Sequence, residues 1–208
     1  MPIRVVTVDS TDEDVTEACA AYRAEEVYPS LSAPDFLVQH FTGSAARLED
    51  VLPALTATQP RLLTASGHGF PTRFSGQGRR TILEVGGYGP EHVRGSIVHL
   101  LSCEAGEQLG VDLVTNGCRA FFGYNDDFVF PIGQPELFLE CDSAIDLTLA
   151  AGGTAAEAFD DAMDAFDRAI FRLRKAGRVW LAVALARNRD CLCAPSVDRK
   201  WGDPLARL

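Results

Sequence analysis

Long apolar runs are missing from this chain. The most continuous, Val179 to Ala186, is far shorter than the ~20 residues a membrane-spanning helix needs. An excess of positive charge is missing too. Lys and Arg number 19 against 29 Asp and Glu, a formal net charge of −10. Such a surface repels phosphate backbones and anionic headgroups, so neither nucleic acid nor a membrane is an expected partner. The opening stretch MPIRVVTVDSTDED lacks a basic segment followed by a long apolar one. No secretory signal is predicted, and a cytoplasmic location is expected. The six cysteines are then expected as reduced thiols. Internal repeats, low-complexity tracts and Pro- or Gly-rich linkers are absent as well. At 208 residues and 47% hydrophobic content, the chain is long enough to bury a core without staples. One domain over residues 1–208 is expected.

What is present is an alternation of short apolar segments and helical patterns. Ile3 to Val8, Phe36 to Phe41, Arg61 to Ala65, Ile97 to Ser102, Arg119 to Tyr124 and Val179 to Ala186 read as strands. Residues 12–28, Ala45 to Ala57, Glu104 to Asn116, Pro135 to Ala151 and Thr154 to Lys175 read as helices. The last opens on a capping box, Thr154-x-x-Glu157, and Gly177 closes it. Residues 70–95 are glycine-rich and irregular, with a hairpin expected around Arg80 to Val85. Strands alternating with helices predict an α/β fold, a mostly parallel six-stranded sheet with helices on both faces. The near-continuous apolar character of the strands agrees, since both faces are then covered.

In open α/β sheets, functional groups gather beyond the carboxyl ends of the strands. The candidates there are Asp9, the pair His68-Gly69, Cys103, and Asp126-Asp127. The third and fourth predicted strands are expected neighbours, so they deliver His68 and Cys103 to one edge, 35 residues apart in sequence. A cysteine nucleophile needs a base or cation beside it, and an imidazole serves. The helix predicted from Glu104 adds a favourable N-terminal dipole, so a thiol pKa below the ordinary ~8.5 is expected. Gly69 presents an unobstructed N–H to a developing oxyanion. Against this stands the ordinary reading of a strand-end cysteine as a small buried hydrophobe. The paired placement of His68 and Cys103 favours the catalytic reading.

Other chemistries fit poorly. A phosphatase loop needs Arg six residues after its cysteine, and Leu109 stands there. Cys191-x-Cys193 is tightly spaced for structural zinc and has no nearby His. Gly86-Gly87-x-Gly89 is not followed by a helix with the Lys or Ser of a phosphate cradle. No metal and no cofactor is therefore expected. His40, His92 and His99 are expected as surface or packing residues, and Cys19, Cys118 and Cys141 as packing thiols.

The stretch LLTASGHG, followed by IVHLLSCEAGEQLGVDLVTNGCRAFFGY, resembles the core of the caspase-like cysteine peptidases. That clan includes metacaspases, gingipains, separase and CHAT domains. In it one hydrophobic strand ends in His-Gly and another in Cys, often with a nearby Gly. A helix then leads to a Gly-Ala-like turn and a further apolar strand. The matching residues here are His68-Gly69, Cys103 with Gly106, Gly117-Cys118-Arg119-Ala120, and Phe121 to Tyr124. In element order the resemblance covers residues 3–186. It implies a caspase-like three-layer sandwich and a cysteine endopeptidase with a His68/Cys103 dyad. A protein or peptide substrate and a regulatory protein partner are the implied partners.

The animal-caspase signature Gln-Ala-Cys-x-Gly is not matched. Leu101-Ser102 precedes Cys103, and the spacing to His68 is 35 rather than ~50. The branch implied is CHAT-type or bacterial caspase-like. In this clan, residues after the first strand and after the strand following the nucleophile help line the substrate pocket. Asp9, Asp126 and Asp127 occupy those positions, and carboxylates there imply cleavage after Arg or Lys. The plainer reading is that Asp9 caps a turn and Asp126-Asp127 form one. The alternative function is a catalytically silent caspase-like interaction or scaffold module.

Overall fold

The computed structural model describes residues 2–208. In chain order its elements are β1 (Ile3–Asp9), α1 (Asp14–Tyr22), β2 (Phe36–Thr42), α2 (Leu48–Thr58), β3 (Leu62–Ser66), β4 (His68–Phe70), β5 (Arg73–Ser75) and β6 (Thr81–Glu84). Then follow α3 (Pro90–Val93), β7 (Ile97–Leu101), α4 (Leu109–Thr115), β8 (Ala120–Tyr124), α5 (Glu136–Ala150), α6 (Ala155–Lys175), α7 (Val179–Cys191) and β9 (Leu192–Cys193). The central sheet has the order β2-β1-β3-β7-β8-β9. Its first five strands are mutually parallel, and β9 runs antiparallel beside β8. The short strands β4, β5 and β6 form a second, antiparallel sheet from the glycine-rich residues. The expected α/β architecture is thus present.

Alternate residues of each strand serve opposite faces. Val6, Val8, Leu63, Ala65, Val98, Leu100 and Phe121 pack with residues of α2, α3 and α4. Val5, Leu62, Ile97, Ala120 and Phe122 turn to the other face, where α5 and α6 cover them. On that second face the same alternation also places Thr7, Asp9, Thr64, Ser66, His99 and Tyr124, all buried.

Three elements differ from the sequence expectation. Val179 to Ala186, read as a strand, is the first part of α7. Leu181, Ala182, Leu185 and Asn188 are buried while Val179, Trp180 and Val183 are exposed, which is helical periodicity. An eight-residue apolar run does not separate strand from buried helix. The sixth strand is the two-residue β9 instead. The helix expected from Glu104 begins only at Leu109, because Glu104 adopts a left-handed backbone with φ of 54° and turns occupy the gap. The helix expected over 12–28 holds α geometry only to Tyr22, then widens to a π turn over Arg23–Val27.

Asp9, Arg23, Thr64, Ser66, His99, Tyr124, Asp142 and Asp146 form one buried polar network. Arg23 is fully enclosed and donates to Asp9 at 2.9 Å, Asp146 at 3.1 Å and Thr64 at 2.8 Å. The ring nitrogens of His99 lie 3.2 Å from Asp142 and 3.1 Å from Asp146, and Tyr124 donates to Asp142 at 2.7 Å. His99 is therefore a buried ionic residue, more than packing. Burial alone would push its pKa down, but the two carboxylates raise it to about 10. Burial would raise Asp146, yet His99, Arg23 and Thr64 lower it to about 2.

These shifts fix a pH window. The His99 contribution is complete below the unfolded value of ~6.5 and is lost as pH rises through about 10. The Asp146 contribution is complete above ~3.9 and is lost as pH falls through about 2. Urea midpoints should therefore be flat between about pH 4 and 6.5 from this pair and decline on either side. His99→Gln should remove the decline that begins near pH ~6.5, leaving the part above ~8.5 that the buried thiols contribute. An unchanged alkaline slope in that variant would assign the decline elsewhere.

Candidate active site

β3 and β7 are adjacent and parallel, with Ser66 paired to Leu101, so the residues after each strand leave the sheet at one edge. After β3 the chain reaches Gly67 and His68; after β7 it reaches Ser102 and Cys103. His68 and Cys103 line the same cleft, of about 60 Å³. The two strand ends are held by main chain. A methyl group placed on Gly69 would sit 1.9 Å from the Cys103 carbonyl oxygen, so only glycine fits beside it. The sequence placement of His68, Gly69 and Cys103 on one edge is what the structure has.

The turn after β7 leaves a donor free. The N–H groups of Ser102, Glu104 and Gly106 donate to the carbonyls of Leu100, Asp126 and Tyr124. Among the described residues, the Cys103 N–H has no such acceptor.

His68 Nε2 lies 3.6 Å from Glu13 Oε2. The other oxygen of Glu13 accepts from Arg79, with contacts of 2.7 and 2.8 Å. Sequence reading placed Glu13 only among the acids of a helix start, which is also true: Glu13 is the N-cap of α1. Its partnership with His68 spans 55 residues and leaves no local signal. Ligand atoms of Asp12, Glu13 and His68 lie within 4.8 Å of one another, the grouping among the described residues spaced to hold a cation. Ser10 already donates to Asp12, and Arg79 to Glu13, so both carboxylates are engaged by the protein.

The thiol is not poised as expected. Burial pushes Cys103 up, the Phe128 backbone N–H opposes this, and the charge of Asp127 adds to the rise, giving about 11. The expectation of a pKa below ~8.5 is corrected for two reasons. The α4 N-terminus lies six residues beyond Cys103, so its dipole is absent. A carboxylate, Asp127, stands near the sulfur. Alkylation of Cys103 by iodoacetamide should therefore climb about tenfold per pH unit from 7 to 10 without levelling. Mass-spectrometric labelling rates would check this, and a plateau below pH 9 would show a preformed thiolate instead.

The three acids expected to line a substrate pocket have separate fates. Asp9 is buried, and Arg23, Ser66 and Tyr28 all donate to its carboxylate, so it reaches no pocket. Strand-end position was legible; the partner 14 residues on was not. Asp126 lines a larger neighbouring cleft with Glu104, Glu107 and Arg187. There its carboxylate accepts from Arg187 at 2.8 and 2.9 Å, which matches its charge internally. Asp127 is exposed, and its charge acts on the Cys103 thiol. The residues that do share the His68/Cys103 cleft include Cys19, Phe128 and Phe130, none of which the sequence singled out as site residues.

This sheet, with its helix layers and its His and Cys at adjoining strand ends, is the caspase-like α/β fold. Over 99% of its length the chain is similar to the Arg specific cysteine proteinase gingipain R (RGPB), with a TM-score of 0.61 at 10% identity. It is likewise similar to a chain in a complex of Porphyromonas gingivalis RgpB pro- and mature domains, with a TM-score of 0.59 at 10% identity and 99% coverage. It spans 47% and 48% of those chains, about half their length. No protein-family model matches the sequence, and no curated protein matches it.

Proposed function

We propose that the chain is a cysteine peptidase hydrolysing peptide bonds through Cys103 and His68, as one domain over residues 1–208 in the cytoplasm. The observation that supports this reading is that both side chains line one cleft, with the Gly69 and Cys103 main chains in contact. The similar solved structures are cysteine proteinases, which agrees. With the thiol raised to about 11, Cys103 rests protonated. Cys103 therefore loses its proton to His68 as Sγ attacks the peptide carbonyl, rather than beforehand. Glu13 steadies the imidazolium that results. The free Cys103 N–H, with that of Gly69, receives the oxyanion. The C–N bond breaks as His68 returns the proton to the leaving amine. Water, deprotonated by His68, then attacks the thioester and frees the thiol.

Within the clan we place the chain near the CHAT-type or bacterial caspase-like branch, on the Leu101-Ser102-Cys103 context and the 35-residue spacing. A regulatory protein partner belongs to the proposal, since one similar structure pairs pro- and mature domains. The Arg or Lys preference expected from three carboxylates loses Asp9 and Asp126 and does not belong to it. The raised thiol is the observation favouring the other reading, a silent scaffold module. Incubation with an unfolded protein, followed by mass spectrometry of new termini, separates the two. Fragments should appear and should stop appearing once Cys103 is alkylated. Their absence across pH 6 to 9 would leave the scaffold.

A further inference from the structure

The cleft that His68 and Cys103 share has walls that are apolar or neutral. Val15, Thr16 and Cys19 of α1 form one side, and Leu101, Phe128 and Phe130 face them. The Thr16 hydroxyl is spent on α1 itself, donating to the Glu13 carbonyl and accepting from the Glu13 N–H. Cys19 is buried, and burial raises its thiol to about 12, so it stays uncharged. The buried Ser102 hydroxyl on the same wall, without a partner among the described residues, is neutral as well. The carboxylates of Glu104, Glu107, Asp126 and Asp190 line the separate, larger cleft, where Arg187 also sits.

From this geometry we propose that the residue before the cleaved bond is short, uncharged and apolar, of the size of alanine, valine or threonine. The inference rests on the cysteine peptidase reading of the same site. A substrate whose carbonyl meets Cys103 has its preceding side chain next to the sulfur, and this cleft opens there. A cavity of about 60 Å³ admits a few heavy atoms and no extended guanidinium or ammonium chain. A charge placed among these walls would lose its water and meet no carboxylate in the lining, Asp127 standing outside it in solvent, which is unfavourable. Apolar atoms there exchange water for the Phe128 and Phe130 rings, which is favourable. Cys19 and Phe130, which line the cleft, then set the size limit.

The test uses the full chain and fluorogenic peptides that differ only in that residue: Ala, Val, Thr, Leu, Arg, Lys and Asp. Ala, Val and Thr peptides should exceed Arg, Lys and Asp peptides in kcat/KM by at least tenfold. Cleavage with a charged residue equal or superior overturns the inference and leaves the peptidase reading intact. Cys19→Ala, with its fold checked by circular dichroism, should shift preference toward Leu at least threefold; no shift overturns Cys19's part in the size limit. A second arm reads the cleft without any hydrolysis. Cys103 is labelled with ethyl and with aminoethyl methanethiosulfonate, each rate normalised to that of free mercaptoethanol, and mass spectrometry localises the label. The ethyl reagent should be favoured at least fivefold. If no peptide is cleaved beyond the rate of Cys103→Ala while the ethyl reagent is favoured, the peptidase reading fails and the apolar cleft stands. Equal normalised rates, or a faster aminoethyl reagent, overturn the apolar cleft.

Discussion

Cys103→Ala is expected to remove peptide hydrolysis, lowering kcat by about 10³-fold or more. A methyl group forms no thioester, so the reaction falls back on oxyanion stabilisation and binding alone. His68→Ala should cost nearly as much, and the double variant little more than either single change, because the two groups act as one unit. Glu13→Gln should cost less, since it keeps shape and loses only the charge beside His68 Nε2. The thermal midpoint of Cys103→Ala should move little. Cys103 is only half-buried and lies outside the three apolar clusters of the core. Steady-state kinetics with the best peptide, beside thermal melts of each variant, measure both. A Cys103→Ala protein retaining a tenth of the activity would remove Cys103 from the reaction.

The second large effect is on stability. Arg23→Met should cost about 3–5 kcal/mol, because it leaves two buried carboxylates, Asp9 and Asp146, without their shared cation. Domains of this kind are stable by only ~5–15 kcal/mol in all, so the variant should be partly unfolded near room temperature or melt far below the parent. Arg23→Lys retains the charge but not the three-way fork to Asp9, Asp146 and Thr64, and should recover only part of the loss. Urea denaturation at pH 6 gives the numbers. A loss under 1 kcal/mol for Arg23→Met would mean that the carboxylates find other partners or take up protons at little cost.

The scaffold was legible because its signals are local. Five parallel strands announced themselves as short apolar runs, and Thr154 with Glu157 marked the start of α6 as the structure has it. His68-Gly69 and Cys103 were legible because strand ends and chain order alone bring them together. The misread α7 shows the limit of periodicity: VWLAVALA is apolar at nearly every position, and its exposed Val179, Trp180 and Val183 carry no polar marker. The interior network was illegible for another reason. Arg23 meets Asp146 across 123 residues, and His99 meets Asp142 across 43, and nothing near either in sequence reports the partner. Asp9 was drawn toward the pocket by its strand-end position, although burial against Arg23 claims it. The Cys103 thiol reads too acidic from sequence because the helix expected after it starts five residues before the observed one.

The contact of Gly69 with the Cys103 main chain bears on how such a protein diverges. The spacing of the two strand ends is written in backbone, which substitutions away from Gly69 leave in place. A lineage is then free to exchange most interior side chains for others of like volume while imidazole and thiol stay in register. Gly69 is one position where a side chain would break that spacing. A backbone arrangement of this kind survives wide change in the letters, and this chain shares its fold with its structural neighbours at 10% identity.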